Sequence, residues 1–204
     1  MARYSPDHKE ATRRRMVESA GRRFKRDGFD GSGIATLVAD VGLTNGAFYG
    51  HFDSKDELIA SVVEEQLAQQ VARVAELPAG IESVDAFLLQ YLSREHRDDL
   101  ADGCPSAALL DEIARSSEVA REAYTQGALN MIGAITRHLD SGDRDDAAVA
   151  AIGLYTLLIG SLQLARAVTD PDLSDRILAA AYANAMTLAG ITPRTPTTTE
   201  QDSK

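Results

Sequence analysis

The sequence predicts an all-α protein of nine helices, a three-helix head followed by a larger helical body. Three observations carry this. Helix start and stop signals recur along the chain. No run alternates β-branched and aromatic residues between hairpin turns. Apolar residues cluster at three- and four-residue spacing. With 204 residues, 44% hydrophobic and 25% charged, the chain suits one domain of ordinary size or two small units sharing a core.

Ser5-Pro6 reads as an N-cap followed by proline at the first helical position. The helix it opens keeps Val17, Ala20 and Phe24 on one face and Arg13, Arg14, Arg15, Arg22, Arg23, Lys25 and Arg26 on the others, and Gly28 stops it. Ile34, Leu37, Val38 and Val41 form the stripe of a second short helix, with Ser32 as its cap and Gly42 as its end. Leu43 is the hydrophobic plug of the following turn, and Thr44 caps a third helix reaching about His51. Ser54-Lys55-Asp56-Glu57 has the pattern of a capping box. It starts a long helix that ends near Leu77, before Pro78-Ala79-Gly80. Further helices are expected near 82–97, 105–115, 118–139, 145–168 and 173–189, separated by Cys104-Pro105, Ser117, Ser141-Gly142-Asp143 and Asp170-Pro171. The natural division is a head over 1–52, a body over 53–190 and a Pro/Thr/polar tail over 191–204 that is expected to be disordered.

The head has the mechanical requirements of a helix-turn-helix: two short helices joined by a glycine-bearing turn and packed on a basic first helix. The third helix would enter the major groove and present its first residues to base edges. Net charge over the chain is −10, yet residues 1–55 hold ten Lys/Arg against seven Asp/Glu, while the remainder holds eleven against twenty-four. A basic head on an acidic body directs one face toward phosphates. Thr44 and Asn45 are small polar groups at the helix start, Gly46 allows close approach, and Tyr49, His51 and Lys55 are placed to reach phosphates.

The segment containing Gly28-Phe29, Ile34, Leu37-Val38, the unbroken run Val41 to Phe52, and Ser54-Lys55-Asp56-Glu57-Leu58 resembles the N-terminal region of TetR-type transcriptional regulators. The resemblance implies an all-helical homodimer, with helices 1–3 on DNA and helices 4–9 around a small effector. By position, Thr44, Asn45, Gly46 and Phe48 fall on base and sugar contacts, and Tyr49, His51, Lys55 and Ser32 on phosphate contacts. Gly33 stands where Ser or Thr is common, which leaves that phosphate contact to the backbone. Gly50 replaces a larger residue and narrows the footprint. Phe48 and Phe52 also suit the core of the three-helix head.

In the body, 147–165 carries no charge over 19 residues, long enough to cross a bilayer. Gly153, Thr156, Gly160, Ser161 and Gln163 interrupt it, favouring the buried centre of a globular protein or a subunit interface over a membrane span. Helices 145–168 (about 36 Å long) and 173–189 would pair with a second copy as a two-fold four-helix interface, and the symmetry implies a palindromic operator in double-stranded DNA. Phe87, Tyr91, Tyr124 and Tyr155, with Leu109, Met131, Leu158 and Leu162, are candidates to line an effector pocket, each with core packing as its alternative. The aromatics and the acidic body point to an apolar or cationic effector.

Cys104, the only cysteine, precedes Pro105 at a helix start, where free amides and the dipole favour a thiolate. It is either a sensor of electrophiles or oxidants, helped by His96 and Arg97, or a buried residue ending a turn. One cysteine cannot form an intramolecular disulfide, and the start of the chain has no export signal, so a reducing cytoplasm is expected. No G-x-S-x-G, H-E-x-x-H or P-loop is present, and histidines 8, 51, 96 and 138 do not suggest a metal site, so neither catalysis nor a cofactor is expected. The reading is a repressor released from its operator by a small molecule. A helical carrier or enzyme with a vestigial head, and an architectural DNA binder, remain as alternatives.

Overall fold

The computed structural model describes residues 6–139 and 144–191. The Ser5 cap, the break at 141–143 and the tail from 192 onward lie outside them. Among the described residues the chain is helical throughout, with α1 Pro6–Asp27, α2 Ile34–Ala39, α3 Asn45–Phe48, α4 Lys55–Ala75, α5 Ile81–Tyr91, α6 Arg94–Asp98, α7 Pro105–Ala114, α8 Glu118–Thr136, α9 Arg144–Ala167 and α10 Pro171–Leu188.

Ten helices appear where nine were expected because the 82–97 segment is broken. The Leu92 backbone leaves helical geometry (φ −95°, ψ 30°). Ser93 then starts α6 afresh, its Oγ accepting the His96 N–H at 3.1 Å. Two other local expectations also change. The cap of α2 is Gly33, not Ser32, and α3 stops at Phe48 rather than continuing to His51. The capping box at α4 forms as read: Ser54 Oγ accepts the Glu57 N–H at 3.1 Å. Glu57 reaches back to the Asp53 N–H, 2.7 Å away, one residue beyond the cap itself.

The turn from α2 to α3 depends on Gly42, whose φ of +71° is open to glycine at little cost. Its N–H bonds Ala39 O and the next amide, that of Leu43, bonds Val38 O at 2.8 Å, the paired closure of a Schellman turn. Leu43 is thereby turned onto the head core.

Apolar side chains gather in two clusters. The lower one joins Phe24, Phe29, Leu37, Val38, Phe48 and Phe52 of the head to Leu58, Val62, Val63 and Leu67 of α4 and to Leu109 and Ile113 of α7. The upper one comprises α5 and the inward faces of α8, α9 and α10. Helices α4 and α7 therefore run from the head's core into the body. The upper half of α4 lies along α8 at very short range: a Cβ added at Gly127 would stand 2.4 Å from Leu67 Cδ1 and 2.8 Å from its Cβ.

Helix α9 is apolar on two faces for two reasons. Ala151, Leu154, Tyr155, Leu158, Leu162 and Ala165 point into the upper core. Val149, Ile152, Thr156, Gly160 and Leu164 recur at three- or four-residue steps along an exposed strip. This helix is long and apolar enough to cross a membrane by length and composition, and 39% of that window is buried inside the protein.

Candidate DNA-binding face and effector cavity

The α2–α3 unit is held on α1 by arginines of that basic helix. Arg23 grips Asp40, at the end of α2, through Nε and Nη2 at 2.5 and 2.9 Å. Arg15 donates to Val41 O at 2.9 Å. The Arg13 guanidinium lies 4.7 Å above the Phe52 ring and donates to Ser61 Oγ at 2.8 Å.

This clamping leaves one exposed edge. Thr44, Asn45, Gly46, Tyr49 and Gly50 are exposed together on and beside α3, Tyr49 at 62%. Thr44 is the extended N-cap of α3, and its hydroxyl makes no capping bond. Gly33 is exposed at the start of α2. His51 is half-buried, and burial, followed by the charges of Lys9 and Arg13, lowers its pKa. Lys55 is half-buried and donates to Phe29 O.

Two nominated contact residues are placed differently. Phe48 is fully buried, edge-on to Tyr49 and tilted against Phe52, so its side chain packs the head. Ser32 is also fully buried, and its hydroxyl donates to Gly28 O at 2.9 Å, closing the α1–α2 turn. Neither side chain faces solvent in this conformation. A sequence register marks position along a helix but not which turn of a four-residue helix faces inward.

The body contains a cavity of about 290 Å³ between α4, α5, α6, the start of α7, α8 and α9. Of the nominated residues, Phe87, Tyr91, Cys104, Met131, Tyr155 and Leu158 line it. Leu109 instead belongs to the lower core, Leu162 is sealed in the upper core, and Tyr124 lies beside Ser106. Gln70, Val74, His96 and Ile135 complete the wall and were not anticipated, because nothing local in α4 or α8 marks which face meets α5. His96 was noted only as a sequence neighbour of Cys104.

Hydrogen bonds organise the wall. His96 spans two elements: Nδ1 is 2.7 Å from Tyr91 O, and Nε2 accepts the Cys104 N–H at 3.1 Å. An amide can only donate, so Nε2 carries no proton, and Nδ1–H donates to Tyr91. Burial lowers the His96 pKa, consistent with this neutral ring. Cys104 is the N-cap of α7, 1% exposed, with its thiol 3.6 Å from Gln70 Oε1. Tyr124 donates to Ser106 Oγ at 3.2 Å, and Ser106 shares a proton with the Tyr155 hydroxyl at 2.7 Å. Glu95, Asp99, Asp102 and Arg73 are exposed at the rim.

Two bonds tie this wall to the head. Lys25 of α1 donates to Gly103 O at 3.0 Å, next to Cys104. At the other end of α7, Glu112 Oε2 accepts the Phe29 N–H at 2.5 Å.

A helix-turn-helix with a polar exposed edge, joined through continuous helices to a body with an internal cavity, defines a DNA-binding regulator. Comparison with known proteins gives the family. Residues 17–62 match the model of bacterial regulatory proteins of the tetR family. The chain is 26% identical over 136 residues to the HTH-type transcriptional repressor NemR of Escherichia coli, covering 64% of this chain and 68% of that protein. It is 28% identical over 119 residues to the HTH-type transcriptional regulator LmrA of Bacillus subtilis, covering 55% and 62%. Its fold is similar to the crystal structure of E. coli NemR in its reduced form, with a TM-score of 0.72, 23% identity and coverage of 87% and 97%. A TetR transcriptional regulator from Chloroflexus aurantiacus gives a TM-score of 0.68 at 25% identity, covering 90% and 95%. Residues 17–62 thus carry the match to the tetR family, and the relatives and the fold support a TetR-family transcriptional regulator.

Proposed function

We propose that the protein is a cytoplasmic homodimeric repressor, released from a palindromic operator when a small, mainly apolar molecule fills the cavity. The observation that carries this reading is the pair of bonds, Lys25 to Gly103 and Phe29 to Glu112, linking the cavity wall to the DNA-binding head. The relatives named repressors support the sign of the regulation.

Thr44, Asn45, Gly46 and Tyr49 meet bases and nearby phosphates, with Gly33 offering its amide to a phosphate. The exposed α9 strip and Leu173 and Leu188 of α10 form the dimer interface, which takes the apolar face of α9 out of water without a membrane. In the free dimer the two recognition helices stand about 34–36 Å apart, one turn of duplex. Ligand in the cavity presses on α4 at Gln70 and Val74 and on α7 at Cys104. Both helices continue into the lower core, so their displacement moves α1 and alters that separation. A differential of about 1–3 kcal/mol gives a several-fold to hundredfold loss of operator affinity. The test is a gel shift on DNA upstream of the protein's own gene, at rising salt. Specific, salt-sensitive binding supports the reading, and its absence favours a carrier with a vestigial head.

A second reading is favoured by the position of Cys104, whose thiol lines the cavity at the N-terminal end of α7. In that case the signal is an electrophile or oxidant acting on the thiol. Cys104→Ser abolishes the response to such compounds if this reading holds, and leaves every response intact if it does not.

A further inference from the structure

We propose that the effector is a single-chain aliphatic amphiphile, and that its hydrocarbon tail passes Phe87 into an apolar annex at the end of the cavity farthest from the polar rim. The proposal rests on the reading of this cavity as the effector site.

A second, smaller space of about 30 Å³ adjoins the cavity. Val74, Phe87, Ile135 and Leu158 line both, so these four side chains form the neck between them. The two spaces are staggered along the helices. On α4 the lining advances from Gln70 through Val74 to Leu77, just past the helix end. On α5 it steps back from Tyr91 through Phe87 to Val84. On α8 it advances from Met131 through Ile135 to Leu139, again just past the end. Each step is close to one helical turn, about 5.4 Å. Cavity and annex therefore lie end to end along the bundle, and together they are long rather than round.

The chemistry of the annex restricts what can enter it. Its surface is wholly apolar. Leu77, Val84, Leu88, Leu139 and Leu154 line it and not the main cavity, and His138, the polar residue of its lining, donates from Nε2 to Val74 O at 2.8 Å. The space is about the share of one water in the liquid, but it offers none of the two to four polar partners that a buried water needs. Its lining lacks packing on that side, and a methylene or methyl group restores it. Phe87 is half-buried whereas Val74, Ile135 and Leu158 are buried, so Phe87 is the neck residue with room to turn. A bare chain passes such a neck where a ring does not. At the opposite end Arg73, Glu95 and Asp99 are exposed at the rim and carry both signs, so a polar head stays in water there. The tail, rather than the head, is what the lining selects.

Calorimetric titration of the full-length protein with 1-decanol and with cyclodecanol tests the idea. The two compounds have equal numbers of carbons, but only the open chain reaches past the neck. Each methylene taken out of water is worth about fourfold in affinity, so a tail that seats two or more in the annex gains roughly tenfold or more. Val84→Phe plugs the annex from α5 and is expected to weaken 1-decanol by about tenfold or more while leaving cyclodecanol nearly unchanged. Leu139→Phe plugs it from beyond α8 and serves as the second variant should the first fold poorly. An equal loss for the two compounds, an unchanged affinity of a folded plugged variant for 1-decanol, tighter binding of cyclodecanol than of 1-decanol by wild type, or binding of neither compound overturns the proposal. Met131→Trp, which fills the main cavity, separates the two readings. If it blocks cyclodecanol while the plugs spare 1-decanol, the cavity is a binding site and only the annex falls. If both compounds bind it unchanged, the cavity reading itself falls.

Discussion

Glu112 accepts the Phe29 N–H at 2.5 Å, joining the end of α7 to the turn that leads from α1 to α2. The carbonyl of the same residue takes the Lys55 ammonium of α4. Phe29 is therefore held through its own N–H and C=O by both helices that descend from the cavity. Glu112→Ala removes a charge-assisted hydrogen bond worth about 1.5–3 kcal/mol. Exchange of the Phe29 amide hydrogen should quicken by roughly tenfold or more, as read by NMR, while Glu112→Gln, which keeps an acceptor, changes it less. Unchanged exchange in Glu112→Ala would show that the link does not hold the turn in solution.

The exposed edge of the head and its buried neighbours separate by mutation. Asn45→Ala and Tyr49→Ala should each weaken operator binding by about 1–3 kcal/mol with little change in melting temperature, because both side chains are exposed. Phe48→Ala should cost roughly 3–5 kcal/mol of stability, since the ring is fully buried. Fluorescence anisotropy with operator DNA, paired with thermal unfolding, distinguishes the two patterns.

The contact of α4 with α8 leaves no room at Gly127, where Leu67 would have to move as a whole rather than at its tip. Gly127→Ala is expected to destabilise the protein by about 1–3 kcal/mol, despite alanine's better helix propensity. Urea unfolding measures it, and a gain in stability would refute the packing argument.

His96 gives a pH dependence whose sign is fixed. Its folded pKa lies below its ordinary value of 6.5, so the unfolded chain binds the proton more readily. Stability is complete above about 6.5 and falls as pH drops through the window down to the folded value, because protonating Nε2 breaks the bond from the Cys104 amide. Between pH 7.5 and 5.5 the melting temperature should fall more in wild type than in His96→Gln. Comparing the two isolates this ring from His51, whose lowered pKa acts in the same direction.

Much of this architecture is legible in the residues because it is encoded locally. Gly28, Gly42 and the Ser54–Glu57 cap each determine a boundary within a few residues of themselves, and the structure follows them. Ser93 carried the same kind of signal and was absorbed into a longer apolar pattern, so the α5–α6 break was missed. Ser32 was misread for a different reason: a serine before a helix bonds either forward to an amide or back to a carbonyl, and here Gly28 O receives it. The cavity was only half legible. Phe87, Tyr91, Tyr155 and Cys104 stand out by type, whereas Gln70 and Ile135 become lining residues only when α4, α5 and α8 meet.

The clamping of α1 has a consequence for how the protein responds to ionic strength. Arg13, Arg15, Arg22, Arg23, Lys25, Arg26 and Lys55 all hold partners within the protein, leaving Lys9 and Arg14 as cations of the described head without one. Each phosphate neutralised by a free cation releases condensed counterions and steepens the fall of affinity with salt, by about 0.9 per contact on a logarithmic scale. Amides, hydroxyls and the Tyr49 phenol release none. Binding of each described head should therefore weaken with added salt more gently than its nine basic residues imply, with a slope near that of about two ionic contacts. Such a regulator would keep much of its hold on DNA when the salt around it rises.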